Sequence, residues 1–180
     1  SPKVLSVAQD RLMEKNFMKS IGVETTPYLD IQTDSDLVDG VSKLGLPSVL
    51  KTTRLGYDGK GQIRLQHASD IGGAFAQLKK QRGILEQWVP FSQEISVIVA
   101  RSADGEIVSY GPVENRHVNH ILDTTIAPAK ISQGVASKAE KIARQVAEKL
   151  GVVGLLAVEM FVTGDGKVLV NEIAPRPHNS

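Results

Sequence analysis

The chain has 180 residues, 41% of them hydrophobic, which suits one globular unit or two small lobes. Its 21 basic and 20 acidic side chains leave a formal charge of +1, so nothing drives it toward nucleic acid or an anionic membrane. There is no cysteine and no apolar run near the ~20 residues of a membrane span, which excludes disulfides, thiolate chemistry and cysteine–zinc sites and makes a soluble, cytoplasmic protein the expectation.

Asp10 is placed to cap a helix through Leu12, Met13 and Phe17 that stops near Gly22. Ser35 opens a second helix, with Leu37, Val41 and Leu44 on one face and Gly45 as its stop. Val49, Leu50 and Lys51 form a short strand, a glycine-rich loop runs from Gly56 to Gly61, and Ile63 starts another strand. A third helix is expected from Ser69, with Ile71, Ala74, Phe75 and Leu78 on its face, then a strand from Ile84 to Val89. Glu94 to Ala100 reads as a strong strand turning at Asp104-Gly105 into Ile107 to Tyr110. A polar loop is expected from Glu114 to Thr125. Ser137 and Glu140 have capping-box spacing for the clearest helix, whose face is Ala139, Ile142, Ala143, Val146, Ala147 and Leu150, closed by Gly151. Two last strands, Ala157 to Val162 and Lys167 to Glu172, flank Gly164-Asp165-Gly166.

That last hairpin carries the most specific local chemistry. Asp165-Gly166 favours a two-residue type I′ turn, which pairs Gly164 with Lys167 and sets Glu159 directly across from Glu172. Opposed side chains lie roughly 4.5–5.5 Å apart, and like charges there repel. Either a shared divalent cation offsets the repulsion, Mg2+ being suited to one or two carboxylates, or both carboxylates reach solvent on an edge strand. The segment Gly56-Tyr57-Asp58-Gly59-Lys60-Gly61-Gln62 is either a phosphate-cradling loop or only a turn; it is neither a Walker sequence nor a dinucleotide fingerprint. Lys51, just before it, is either a phosphate contact or a surface lysine. After Glu172, two prolines stiffen a loop presenting Arg176, suited to planar oxyanions, and His178, suited to hydrogen bonding or proton movement.

Together these segments resemble the ATP-grasp superfamily, in its branch of ATP-dependent carboxylases of purine synthesis. The resemblance is carried by Gln9-Asp10-Arg11, Lys51 with the loop to Gln62, Glu86 to Phe91, and Glu94 to Arg101. It continues through Val113-Glu114-Asn115-Arg116-His117, Ile121 to Thr124, and Asn171 to Ser180. It implies an α+β ATP-grasp fold of two α/β lobes with ATP between them: residues 21–91 as the small lobe and 92–180 as the large lobe. Residues 1–20 are then a helix linking to an absent N-terminal domain.

The resemblance also assigns roles. Arg11 and Lys51 contact ATP phosphates, and Gly56, Tyr57, Asp58, Gly59, Lys60, Gly61 and Gln62 fold over them. Glu86, Gln87, Trp88 and Val89 form the adenine hinge, Glu94 takes the ribose hydroxyls, and His117 and Asn171 line the nucleotide site. Glu159 and Glu172 hold Mg2+. Tyr57, Asp58, Arg176 and His178 serve the bicarbonate and imidazole chemistry. Many ATP-grasp enzymes have asparagine two residues after the second metal glutamate; Ala174 stands there in this chain. The implied reaction is carboxylation of 5-aminoimidazole ribonucleotide by ATP and bicarbonate through carboxyphosphate, in a homodimeric parent enzyme with no nucleic-acid or membrane partner. The alternatives are another ATP-grasp carboxylase or ligase, or a nucleotide-binding fragment without turnover.

Overall fold

A computed structural model describes residues 2–54, 61–79, 81–119 and 121–180. The expected site positions Gly56, Tyr57, Asp58, Gly59 and Lys60 lie outside the described residues. In chain order the elements are α1 (Pro2–Ala8), α2 (Arg11–Ser20), β1 (Tyr28–Ile31), α3 (Asp34–Leu44), β2 (Ser48–Thr52), β3 (Gln62–Leu65), α4 (Ala74–Gln77), β4 (Gly83–Gln87) and β5 (Phe91–Arg101). They continue with β6 (Ile107–Ser109), β7 (Val113–Val118), β8 (Ile121–Ile126), α5 (Gln133–Leu150), β9 (Gly154–Thr163) and β10 (Val168–Ala174).

The chain divides into two compact units. One comprises Asp10–Leu12 and Thr26–Val89. Its four strands lie in the order β1-β4-β2-β3, every neighbour antiparallel. Leu37 and Val41 of α3 pack with Ile31, Leu50 and Leu85 of the sheet. The Thr33 hydroxyl accepts the Asp36 N–H and the Asp36 carboxylate accepts the Thr33 N–H, so α3 begins at Thr33 rather than at Ser35. The long third helix expected from Ser69 is not formed. A 3-10 turn at Ala68–Asp70 is followed by the four-residue α4, because Gly73 adopts φ 79° between them, a left-handed conformation that stops helix propagation. Ala74, Phe75 and Leu78 are nevertheless buried.

The other unit comprises Ser1–Gln9, Met13–Thr25 and Pro90–Ser180. Its sheet runs β10-β9-β5-β7-β8, with β6 paired to β5, and is antiparallel between all named strands. The six apolar positions read for α5 are all buried against it, which stabilises by about 1.5–3 kcal/mol for each large side chain fully enclosed. Gly151 closes the helix at φ 69°. Ser132, not Ser137, is the N-cap: its hydroxyl accepts the Val135 N–H at 3.3 Å, while Glu140 takes the Ser109 hydroxyl at 3.2 Å. The expected loop from Glu114 to Thr125 is instead the β7–β8 hairpin, which turns with Asn119 at φ 51°. The stretch 1–20, expected as one helix, forms two, and α1 adds Val4 and Val7 to the same core. With helices laid on antiparallel sheets, the fold is α+β.

Candidate functional site

The β9–β10 hairpin places Glu159 and Glu172 directly opposite each other. The route to that register differs from the one the sequence suggested. Thr163 pairs with Lys167 across a three-residue loop, with Gly166 N–H donating to Thr163 O at 2.9 Å and Gly166 at φ 81°. Left uncorrected, that turn sets Val170 opposite Met160 and would aim Glu172 into the core beside Val158. A β-bulge between Val170 and Glu172 inserts Asn171 and restores the Glu159–Glu172 pairing. Asp165 stays in the turn, where the Thr163 hydroxyl and then Lys167 lower its carboxyl to about 2.

Around the two glutamates a hydrogen-bonded chain crosses the sheet. His178 receives the Ser180 N–H on Nδ1 at 3.3 Å, so its ring proton sits on Nε2 and is donated to Glu159 Oε1 at 2.9 Å. The Ser180 hydroxyl bonds Nδ1 and the Ser96 hydroxyl, each at 2.7 Å. Asn115 donates to Ser96 at 3.0 Å and accepts from Thr125 at 3.1 Å. One face of four strands is thereby fixed, side chain by side chain. On the same sheet the His117 imidazole bonds the Glu94 carboxylate, joining two residues expected at the nucleotide.

The donor set fits a hard divalent cation. Two carboxylates from paired strands could supply oxygen ligands, and no group of three or more His, Asp or Glu suited to holding a metal occurs among the described residues. Mg2+ suits this arrangement, since it keeps several waters and takes the rest of its shell from phosphate oxygens. A Zn2+ site takes three or four protein ligands, usually including His or Cys.

Arg176 and His178 do not act together in this arrangement. The arginine is exposed, donates to Pro177 O at 3.1 Å, and borders a shallow apolar cavity with Leu5, Val153 and Leu155. His178 is turned onto Glu159.

In the other unit, Lys51 on β2 meets Glu86 on β4 at 2.8 Å, with only 18% and 5% of the two side chains exposed. The Lys51 ammonium is therefore held at the sheet by a carboxylate the sequence had assigned to adenine. Arg11 donates to Thr52 O at 2.9 Å, next along the strand, and Gln62 pairs with Lys51 across β3. At the expected hinge, the backbone N–H groups of Gln87 and Trp88 are taken by Pro27 O and Pro47 O, at 2.9 and 3.1 Å. The Trp88 indole lies under the Arg64 guanidinium, 4.0 Å from the ring centroid.

Ser96, Asn115, Thr125 and Ser180 were not singled out as site residues from the sequence. Ser96 carried a signal: a lone hydroxyl in the apolar run Ile95 to Val99.

The ATP-grasp domain pattern matches residues 16–180, and the chain belongs to the ATP-grasp family. It is 47% identical over 178 residues to the N5-carboxyaminoimidazole ribonucleotide synthase of Bacillus subtilis, across 99% of this chain and 47% of that protein. The solved ADP complex of an N5-carboxyaminoimidazole ribonucleotide synthetase superposes with a TM-score of 0.94 at 45% identity, over 98% of this chain and 47% of that one. The Aspergillus clavatus N5-carboxyaminoimidazole synthase, solved with ADP and 5-aminoimidazole ribonucleotide, gives 0.89 at 28%, over 99% of this chain and 47% of that one. The chain thus spans about half the length of the curated relatives it matches.

Proposed function

We propose that this chain is the nucleotide- and metal-carrying part of a cytoplasmic, ATP-dependent carbon–nitrogen ligase that carboxylates 5-aminoimidazole ribonucleotide. The single observation that carries the reading is the convergence of Glu159 and Glu172 on one face of the terminal hairpin. Like charges set opposite each other repel, and a shared cation would offset that repulsion. The substrate assignment rests on the similarity to synthases of that compound, one of them solved with ADP and the ribonucleotide. The homodimeric parent rests on the family resemblance.

In the proposed reaction a bicarbonate oxygen attacks the γ-phosphorus of ATP and ADP leaves, giving carboxyphosphate. The exocyclic amine then attacks the carboxyl carbon and inorganic phosphate departs, the amine proton passing to a base or to water. Phosphorylation matters because hydroxide is a poor leaving group from bicarbonate and phosphate a good one. Mg2+ bound there would neutralise charge developing on the transferring phosphoryl group. Lys51 and Arg11 hold phosphate oxygens as fixed positive groups, with Glu86 keeping the lysine in place. The Val89 backbone takes the adenine edge, and Glu94, oriented by His117, takes the ribose. Glu159, aimed by His178, and Glu172 would hold the cation. Arg176 positions the planar bicarbonate, and Asn171, Tyr57 and Asp58 complete the substrate side.

Phosphate release from ATP is the test. It is expected to require both bicarbonate and 5-aminoimidazole ribonucleotide in the parent enzyme, and to be slow with these 180 residues alone. Release that ignores the ribonucleotide would point instead to another ATP-grasp carboxylase.

A further inference from the structure

The bulge at Asn171 solves a problem of direction. In a regular strand alternate side chains face opposite ways. Here Val170 and Ile173 are buried while both residues between them, Asn171 and Glu172, are turned out of the core. Two consecutive site residues thus share the face that carries Glu159. A bulge leaves backbone groups without ladder partners, and a buried unpaired group is costly.

Glu24 O accepts the Val170 N–H at 2.9 Å, and helix α2 supplies further partners. Lys15 Nζ donates to Asn171 O at 3.1 Å and to Val170 O at 3.4 Å, and Glu14 Oε2 accepts the Ile173 N–H at 3.1 Å. Both side chains are enclosed, Lys15 at 1% exposure and Glu14 at 4%. Lys15 stands one turn from Met18, which is fully buried, on the stripe where an apolar residue would normally pack. Enclosed charges carry a large desolvation cost, so packing alone does not account for them. Their bonds include those to three backbone groups that bracket the bulge.

We propose that Glu14 and Lys15 are positioning residues for the metal site, fixing the Asn171 bulge and through it the placement of Glu172 opposite Glu159. The proposal rests on the reading of those two glutamates as cation ligands. Neither Glu14 nor Lys15 touches the cation; they hold the backbone that presents its ligand.

The test is titration of the chain with Mn2+ alone, read as loss of the free-ion paramagnetic resonance signal, with circular dichroism reporting the folded state. Lys15→Met is expected to weaken Mn2+ binding at least about tenfold at temperatures where it is folded, within the 10–100-fold range of outer-shell changes at metal sites. A purely structural lysine would lower the melting temperature and leave the Mn2+ affinity of the folded protein unchanged; that result overturns the proposal. Removing Asn171 from the Lys15→Met variant brings Glu172 next to Val170, which faces Met160. Glu172 then falls opposite Glu159 in an unbroken ladder that needs no clamp, so Mn2+ affinity is expected to return. Should Lys15→Met alone fail to fold, this second variant decides: folded and Mn2+-binding supports the proposal, unfolded or non-binding overturns it. Mn2+ binding that is absent from the wild type, or indifferent to Glu172→Gln, overturns the metal reading itself and the proposal with it.

Discussion

The two units hold their charged residues by opposite means. On β2 and β4, Lys51 and Glu86 are a mutual pair: each neutralises the other in a nearly closed setting. On β9 and β10, Glu159 and Glu172 are a repelling pair, set in place by strand register, a bulge and a histidine. In the first arrangement the charges attract, which keeps the lysine in place for its proposed phosphate contact. In the second the register sets two like charges opposite each other, the arrangement expected of the proposed cation site.

That contrast is broken or sharpened by substitution, and the largest effect belongs to the repelling pair. Glu172→Gln is expected to slow phosphoryl transfer by about 10^3-fold, since metal stabilisation of transferring phosphoryl groups is worth several kcal/mol. The same change removes a like-charge contact on an edge strand and should leave the protein folded. A fall in stability without loss of rate would reverse the assignment. Lys51→Met has the opposite signature in folding: it leaves Glu86 enclosed without its cation and should cost roughly 3 kcal/mol in chemical denaturation. Adding Glu86→Leu should recover much of that loss, whereas two independent surface residues would show additive costs.

His178→Gln comes next. The Glu159 carboxylate loses its ring N–H donor, and metal affinity should drop about tenfold with the fold intact, seen by calorimetric titration of the divalent ion. The smallest effect is at the turn. Asp165 titrates at about 2 chiefly because the Thr163 hydroxyl bonds it, with Lys167 second. Its folded value lies below the unfolded ~3.9. Its stabilising contribution is therefore complete above about pH 4 and is lost as pH falls toward 2. Thr163→Val should move the Asp165 carboxyl titration, followed by carbon NMR, back toward the ordinary range.

The readable parts of the sequence were those with a strong period or a strong pair. The stripe of α5 from Ala139 to Leu150 repeats at helical spacing, and burial follows it residue for residue. Its start was misplaced because Ser132 and Ser137 are both competent caps, and only the backbone conformation chooses between them. The β7–β8 hairpin read as a loop because Arg116, His117, Asp123 and Thr124 are exposed on it, which leaves little hydrophobic alternation to detect. The facing of Glu159 and Glu172 was foreseen through a turn that does not form; the three-residue loop and the Asn171 bulge each shift the ladder by one, and the shifts cancel. No local pattern reveals such a cancellation. Equally invisible were the contacts that join distant segments: Glu14 and Lys15 on β10 backbone, Glu86 on Lys51, and Ser96 on Ser180.

The most direct measurement is an anomalous diffraction map of crystals grown with Mn2+ and ADP. The account predicts one manganese peak bonded to an oxygen from each of Glu159 and Glu172 and to a phosphate oxygen of the nucleotide. A peak elsewhere, with those two carboxylates meeting only solvent, would contradict it.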